Sequence, residues 1–177
     1  ARTGMAELIL QVRSMANAGT ADIVIAGTTY HTDDQLQSTL DRHREQIERE
    51  TLAIATDYQN GTPVYTRYQW SEPNVERSTS GSAAWKIQNG AGSVYAGSAG
   101  TAAADYSVNY DAREITFNSD TNGTTYYLTY RSYGLERAAA DVWEDKAAYV
   151  AAGFDVRTDN HDLKRSQLRQ SYLDMAK

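Results

Sequence analysis

The histidines, the side chains best suited to acid–base or metal chemistry near neutral pH, are only three and are scattered along the 177-residue chain. The histidines, His31, His43 and His161, fall in different kinds of segment, and the chain has no cysteine. Without thiolates or an HxxxH spacing, they favour structural or surface roles over a metal centre. Asp33 and Asp34 are adjacent and point in different directions on a helix, so a place at a helix start explains them better than catalysis. The sequence therefore predicts no enzyme, metal site or cofactor.

Two further motifs resemble functional sites, but their surroundings favour loops and turns. In NGAGSVYAGSAG, Gly90 and Gly92 have the spacing that begins GxGxxG, but Tyr95 occupies the third glycine position. No strand-to-helix context follows, so a flexible loop is the better interpretation. The segments 60–62 and 122–124 both read Asn-Gly-Thr, the N-glycosylation sequon. Since no secretory signal is visible at the N-terminus, both are interpreted as tight turns.

Composition limits the possible partners. The formal net charge is −6, which argues against a general nucleic-acid-binding surface, since such a surface needs clustered Lys and Arg. No apolar run approaches the ~20 residues of a membrane span, and we expect folding in a cytoplasm. The chain has 13 Tyr but only 2 Phe. Tyrosine suits surfaces that become buried against a partner, although it equally suits exposed strands.

Four segments have the apolar period of helices. The first covers residues 5–16. The second begins at Thr32, which forms a capping box with Gln35. The third covers residues 135–152 and ends at Gly153, and the fourth is capped by Asp159 or Asn160. The predicted apolar stripes are, in turn, Leu8, Val12 and Met15; Leu36, Leu40, His43 and Ile47; Leu135, Ala139, Val142 and Tyr149; and Leu168, Tyr172 and Met175.

The middle of the chain has the two-residue period of strands. In residues 64–70, Val64, Thr66, Tyr68 and Trp70 share one face. The Asn-Gly pairs at 60–61 and 122–123 predict tight turns in this region. Residues 105–110 and 114–117 are predicted to form a strand pair. About five or six strands in one small antiparallel sheet are expected.

Residues 78–104 differ from the rest, because most of them are Gly, Ala, Ser or Thr. This composition buries little area per ordered residue, so we expect a mobile segment in the free protein. Trp85, Ile87, Val94 and Tyr95 are its sizeable anchors. They predict an exposed hairpin that becomes ordered against a neighbour.

These patterns predict an α+β fold in which both chain ends form a small helical bundle and the middle is an antiparallel β insert. Residues 1–50 hold the N-terminal helices, residues 51–133 the insert, and residues 134–177 the C-terminal helices. The last helix carries the one local basic patch, formed by Lys164, Arg165 and Arg169. A solvated helix face and a docking surface for an acidic partner are both compatible with this patch.

The helical ends resemble the head–tail connector adaptor proteins of tailed bacteriophages. The likeness lies in an N-terminal helix ending in MANAGTAD, then TDDQLQSTLDRHR, and, after the β insert, AAADVWEDKAAYVAAGFDVRTDNHDLKRSQ. It covers about half of the chain, and the insert is not diagnostic. The resemblance implies a virion structural protein of the neck, assembled in a bacterial host's cytoplasm.

The same resemblance implies the partners. Adaptors form a homo-oligomeric ring, usually of twelve copies, which docks beneath the portal protein and receives a stopper or tail completion protein. DNA passes through the ring without sequence-specific binding. Carried over, the resemblance assigns portal contact to residues 162–177, with Lys164, Arg165 and Arg169 as the charged contacts. The residues of this helix add Tyr172 as a further predicted contact.

Two expectations come from the residues themselves. The strand 124–133 has aromatic residues on both faces, so Tyr126, Tyr127 and Tyr130 are predicted at subunit contacts. The Tyr- and Trp-bearing strands also permit a different function, a β-rich carbohydrate- or receptor-binding module with helical ends.

Overall fold

The computed structural model describes residues 1–19, 23–25, 28–77, 85–90, 94–96, 106–151, 156–158, 161–163 and 165–176. The fold is α+β, as predicted. A 3₁₀ turn, Thr3–Met5, precedes the first helix. The helices are α1 Ala6–Met15, α2 Asp33–Arg42, α3 Leu135–Ala151 and α4 Arg165–Met175. The strands are β1 Ile23–Ile25, β2 Thr28–Tyr30, β3 Arg44–Thr51, β4 Ala53–Gln59, β5 Thr62–Gln69, β6 Trp85–Asn89, β7 Val94–Ala96, β8 Tyr106–Asn109, β9 Glu114–Phe117, β10 Tyr126–Tyr133, β11 Val156–Thr158 and β12 His161–Leu163.

The chain divides into two compact units. The helical unit comprises Ala1–Arg2, Ala6–His43 and Gly134–Lys177, and the β unit comprises Thr3–Met5 and Arg44–Tyr133. In the helical unit, α3 contacts α1, α2 and α4. The buried side chains of this unit include Leu8, Ile9, Val12, Leu36, Leu40, Ala138 and Val142. Among the described residues, no helix is long and apolar enough to span a bilayer.

The capping box at the start of α2 is confirmed. The Thr32 hydroxyl accepts a hydrogen bond from the Gln35 backbone N–H, and the Gln35 side chain accepts one from the Thr32 backbone N–H. Two of the donors that a helix start leaves unpaired are thereby satisfied. The helix is shorter than predicted, because it ends at Arg42 and the chain enters β3 at Arg44.

The β unit contains two four-stranded antiparallel sheets rather than one small sheet. Their strand orders are β3-β10-β6-β7 and β4-β5-β9-β8. One buried cluster draws on both sheets, so the sheets enclose a shared aromatic core. Its members include Tyr68, Trp70, Trp85, Ile87, Tyr106, Ile115, Phe117, Tyr126, Leu128 and Tyr130.

The prediction that residues 44–50 continue the second helix is wrong. The segment REQIERET is rich in helix-forming residues, but it pairs with β10 in the register Tyr133↔Arg44 and Tyr130↔Ile47. Ladder pairing with a buried strand outweighs the local preference for helix. The predicted boundary at residue 50 therefore falls inside β3.

The predicted hairpin is confirmed, since β6 pairs with β7 in the register Ile87↔Tyr95, but the expectation that it is exposed is wrong for Trp85 and Ile87. Strand β6, residues 85–89, lies between β10 and β7. Trp85 and Ile87 are 1% and 0% exposed, so these two of the four anchors belong to the core of this chain. Residues 78–84, 91–93 and 97–105 lie outside the described residues.

The C-terminal segment also differs from its prediction. Residues 161–163 form β12, which pairs with β11 in the register Val156↔Leu163 and Thr158↔His161. The last helix begins only at Arg165. The predicted caps Asp159 and Asn160, and the helix stop at Gly153, lie outside the described residues.

Candidate functional site

The helix α4, predicted to meet the portal, is attached to the helical unit by an aromatic contact. The Tyr172 ring lies 5.4 Å from the Trp143 ring of α3, centroid to centroid, at an interplanar angle of 41°. Tyr172 is half-buried, while Arg169 is exposed. The side chain of Arg165 and the whole of Lys164 fall outside what the structure describes. The intramolecular contact therefore takes up part of the Tyr172 ring.

The rest of the predicted apolar stripe on α4 is poorly covered. Leu168 is 42% exposed and Met175 is 62% exposed. On the polar side, Gln170 donates a hydrogen bond to Asp174 at 3.1 Å, one turn further along the helix. An eleven-residue helix that buries so little gains little stability from packing, and packing is the main source of helix stability in proteins.

A shallow groove lies beside the Trp143–Tyr172 contact. Its volume is about 360 Å³. It is lined by Met15 of α1, Glu136, Arg137, Ala139, Ala140 and Trp143 of α3, and Met175 and Ala176 at the end of α4. The small alanines of α3 leave this space, so α4 covers α3 incompletely.

A second, more polar cleft lies between α2, α3 and the end of β2. It has a volume of about 350 Å³ and is lined by His31, Asp34, Gln35, Ser38, Thr39, Asp145 and Tyr149. The Tyr149 ring lies 4.6 Å from Tyr30 and 5.9 Å from His31. Burial, followed by the charge of Asp145 and the nearby Tyr30, raises the pKa of Tyr149. Its hydroxyl is therefore neutral at physiological pH and can act as a hydrogen-bond donor.

His43 and Asp33, two of the side chains considered for chemistry in the sequence, have partners within the helical unit. Within the described ranges, no group of three or more His, Asp or Glu side chains is placed to hold a metal ion. His43, predicted on an apolar stripe, instead contacts a carboxylate: its Nε2 lies 2.9 Å from Asp141 Oδ2. Asp33 accepts hydrogen bonds from Arg13 at 2.7 and 3.2 Å. These contacts tie α1, α2 and α3 together, which is a structural role.

Two of the tyrosines predicted at subunit contacts are core residues, which corrects that prediction. Tyr126 is 6% exposed and stacks on Phe117 at 4.6 Å, and Tyr130 is 0% exposed. The Tyr130 hydroxyl donates a hydrogen bond to Glu50, and burial followed by this carboxylate raises its pKa. Tyr127 is half-buried, with the Arg49 guanidinium 4.6 Å from its ring centroid. Of the three, Tyr127 alone offers ring surface to a neighbour.

One interaction of the helical unit, at Lys146, was not predicted from the sequence. This lysine is 3% exposed, and its ammonium donates hydrogen bonds to the carbonyl oxygens of Ala16 and Asn17, both at 2.9 Å. It also lies 4.6 Å from the Trp143 ring centroid. A cation at the C-terminus of α1 satisfies carbonyls that the helix leaves unpaired. In the sequence, the one sign of this contact is that a lysine stands between two apolar positions of α3. Lysine at such a position is usually solvated, so this sign alone does not predict a buried cation.

The comparisons with known proteins do not add an identity: no family model, curated protein or solved structure matches the chain.

Proposed function

We propose that this protein is a head-to-tail adaptor of a tailed bacteriophage, a virion structural protein that forms a ring on the portal. The ring joins the portal to the next neck or tail component and surrounds the DNA channel. The observation that carries the proposal is that the two chain ends bearing the resemblance belong to one unit, while residues 44–133 form a separate unit with its own core.

The proposal includes a bundle built from both chain ends. Its support is the packing of α3 against α1, α2 and α4, although α1 and α3 are more than a hundred residues apart in sequence. Ion pairs reinforce the N-terminal part: the Arg2 guanidinium contacts both carboxylate oxygens of Asp41, at 2.8 and 2.9 Å. Such bidentate pairs fix geometry as well as adding energy. A rigid unit of this kind is suited to tiling a ring.

The α4 helix is proposed as the portal-docking segment. Its support is the exposure of Arg169, Leu168 and Met175 on a helix attached through Tyr172. Lys164 and Arg165 complete the basic patch in the sequence. An acidic groove on the portal would orient this patch and speed association, whereas exposed charge pairs would add little affinity.

The ring carries strong negative charge in this proposal. Twelve copies at −6 each give a formal charge of −72. An acidic channel wall lets DNA pass without adhering. Subunit contact through the β unit is proposed for Tyr127, since Tyr126 and Tyr130 are occupied inside the unit.

The proposal is tested by mixing the purified chain with its cognate portal and examining the products by electron microscopy. Rings stacked on the portal are expected. Arg169→Glu should reduce portal binding, whereas Arg44→Glu, an equal charge change at an exposed position of the β unit, should not. A chain that neither forms rings nor binds portal would contradict the proposal.

One observation favours the second candidate, a carbohydrate- or receptor-binding module. Tyr58 on the edge strand β4 is 72% exposed, and Ile54 on the same strand is 38% exposed. An exposed aromatic ring can stack against a sugar face. Binding of the monomeric chain to a glycan array, lost in Tyr58→Ala, would support this module instead of the adaptor.

A further inference from the structure

The chain contains three Asn-Gly pairs, at residues 60–61, 89–90 and 122–123, and the fold treats them differently. Asparagine before glycine is chemically labile, because the glycine nitrogen meets no side chain of its own residue when it attacks the asparagine amide. In an unfolded chain the three pairs would react at similar rates. Differences in the folded protein must therefore come from local structure.

The first pair forms a bare hairpin tip between β4 and β5. Asn60 and Gly61 have φ values of +50° and +79°, the left-handed conformation of a two-residue hairpin turn. The last paired residues are Gln59 and Thr62, and all four tip residues are exposed. No atom outside the tip lies within 4 Å of a Cβ built on Gly61. This tip can open without breaking any packing of its glycine.

The third pair has nearly the same backbone but is anchored. Asn122 and Gly123 have φ values of +53° and +71°. The Thr121 hydroxyl donates to the Tyr65 carbonyl at 2.7 Å, and the Asn122 backbone N–H donates to Asp120 Oδ1 at 2.9 Å. A Cβ built on Gly123 would touch the Tyr65 ring at 3.8 Å. Opening this turn requires these contacts to break.

The second pair is held by the sheet. Asn89 is half-buried at the end of β6, where it lies opposite Tyr126 of β10. Tyr126 is 6% exposed and packs within the core. Freeing Asn89 therefore means fraying a strand at the edge of the core, which occurs more rarely than the opening of an exposed turn.

We infer that Asn60 is a site of spontaneous modification in the folded protein, converting to aspartate and isoaspartate, while Asn89 and Asn122 are protected. The Gly61 nitrogen attacks Asn60 Cγ; a C–N bond forms, and the side-chain amide leaves as ammonia. Water then adds to either carbonyl of the cyclic imide and opens it. The aspartyl product gains one carboxylate, and the isoaspartyl product also has one extra methylene in the backbone.

The inserted methylene matters because the hairpin register depends on a two-residue turn. Lengthening the link between Gln59 and Thr62 strains the first ladder pairs of β4 and β5. The new carboxylate also appears at an exposed tip two residues from Tyr58. Modification should therefore loosen the outer end of this hairpin while leaving the aromatic core intact.

The test is a time course of the intact chain in warm, mildly alkaline buffer, followed by brief tryptic digestion and mass spectrometry. Cleavage after Arg49, Arg67, Lys86, Arg113 and Arg131 places each Asn-Gly pair in its own peptide, covering residues 50–67, 87–113 and 114–131. A parallel sample in concentrated urea gives the unfolded rates, and samples digested at time zero correct for modification during handling.

In the folded protein, modification of Asn60 should exceed that of Asn122 by about tenfold or more, because two anchoring hydrogen bonds make opening of the third turn rarer by about that factor. It should also exceed that of Asn89, because freeing Asn89 requires β6 to fray. In urea the three rates should converge. Equal folded-state rates, or a faster rate at Asn89 or Asn122, would overturn the inference.

A variant at Thr121 tests whether anchoring of the third turn is what protects Asn122 from modification. Thr121→Ala removes the hydroxyl that holds the third turn, and the Asn122 rate should rise relative to the Asn89 rate of the same sample. Using this ratio cancels any general loosening of the β unit. An unchanged ratio would show that anchoring does not control the chemistry, and the inference would fail.

Discussion

Replacing Lys146 by methionine should destabilise the helical unit by about 2 kcal/mol. The substitution keeps the length and most of the apolar stem but removes the ammonium. The carbonyl oxygens of Ala16 and Asn17 then lose their donor, and the Ala16 carbonyl lies in a buried position. Methionine thus separates the charge from the packing of the side chain.

Opposing terms set the size of this effect. A hydrogen bond to a charged group contributes ~1.5–3 kcal/mol, and a cation at a helix C-terminus contributes ~0.3–1 kcal/mol. Burying an ammonium carries a desolvation cost, which methionine relieves. Asn17 is exposed, so water can replace the lysine at its carbonyl, while the Ala16 carbonyl stays unsatisfied. The net loss is about 2 kcal/mol, which corresponds to about 4–8 °C in Tm for a chain of this size.

Urea unfolding followed by far-ultraviolet circular dichroism measures this loss, since most helix lies in the helical unit. Lys86→Met is the matched control, because Lys86 is exposed on β6 and its replacement should change stability by less than ~0.5 kcal/mol. If Lys146→Met were as stable as the native chain, or no less stable than Lys86→Met, the capping role assigned to Lys146 would be wrong.

Three other substitutions test separate contacts. Thr32→Ala removes the capping box and should lower the free energy of unfolding by about 1 kcal/mol in the same assay. Asp57→Asn tests the ion pair with Arg67, whose hydrogen bond lowers the pKa of Asp57. The ionised carboxylate therefore stabilises the fold above the unfolded pKa of Asp57, and this stabilisation is lost as pH falls through the folded pKa. The native chain should therefore exceed Asp57→Asn in urea midpoint at neutral pH, and the gap should close on acidification; a gap independent of pH would refute the assignment. Tyr172→Ala should speed amide hydrogen exchange in α4 but not in α3, whereas Leu168→Ala, at an exposed position, should leave α4 exchange nearly unchanged.

Features set by local chemistry were predictable from the sequence. The capping box at Thr32 involves residues three apart, and the Asn-Gly turns require only that two adjacent residues adopt positive φ. The long helix Leu135–Ala151 was found within one residue, because its period and helix-forming composition agree. The strand pair around residues 111–113 was found for a similar reason, since alternation and a turn coincide.

Features set by distant partners were not predictable. Strand β3 looks helical in isolation, and only pairing with β10, about 80 residues later, makes it a strand. Trp85 and Ile87 stand beside a stretch of small residues, yet the partner strand β10 places them in the core. The same limit applies to the site: nothing local distinguishes Tyr126 and Tyr130, which face the core, from Tyr127, until the identity of the opposing sheet is known.

Residues 44–133 begin and end side by side, as the contacts on either side of them show. Within the helical unit, the Gly134 N–H donates a hydrogen bond to the His43 carbonyl at 3.1 Å. Within the β unit, the next residues, Arg44 and Tyr133, pair across β3 and β10. The insert of residues 44–133 thus starts and finishes at neighbouring residues. Because the ends of the insert are already side by side, the entropic cost of closing it as a loop rises only slowly with its length. A β unit of this kind can change in sequence and length while α1, α2 and α3 keep their contacts.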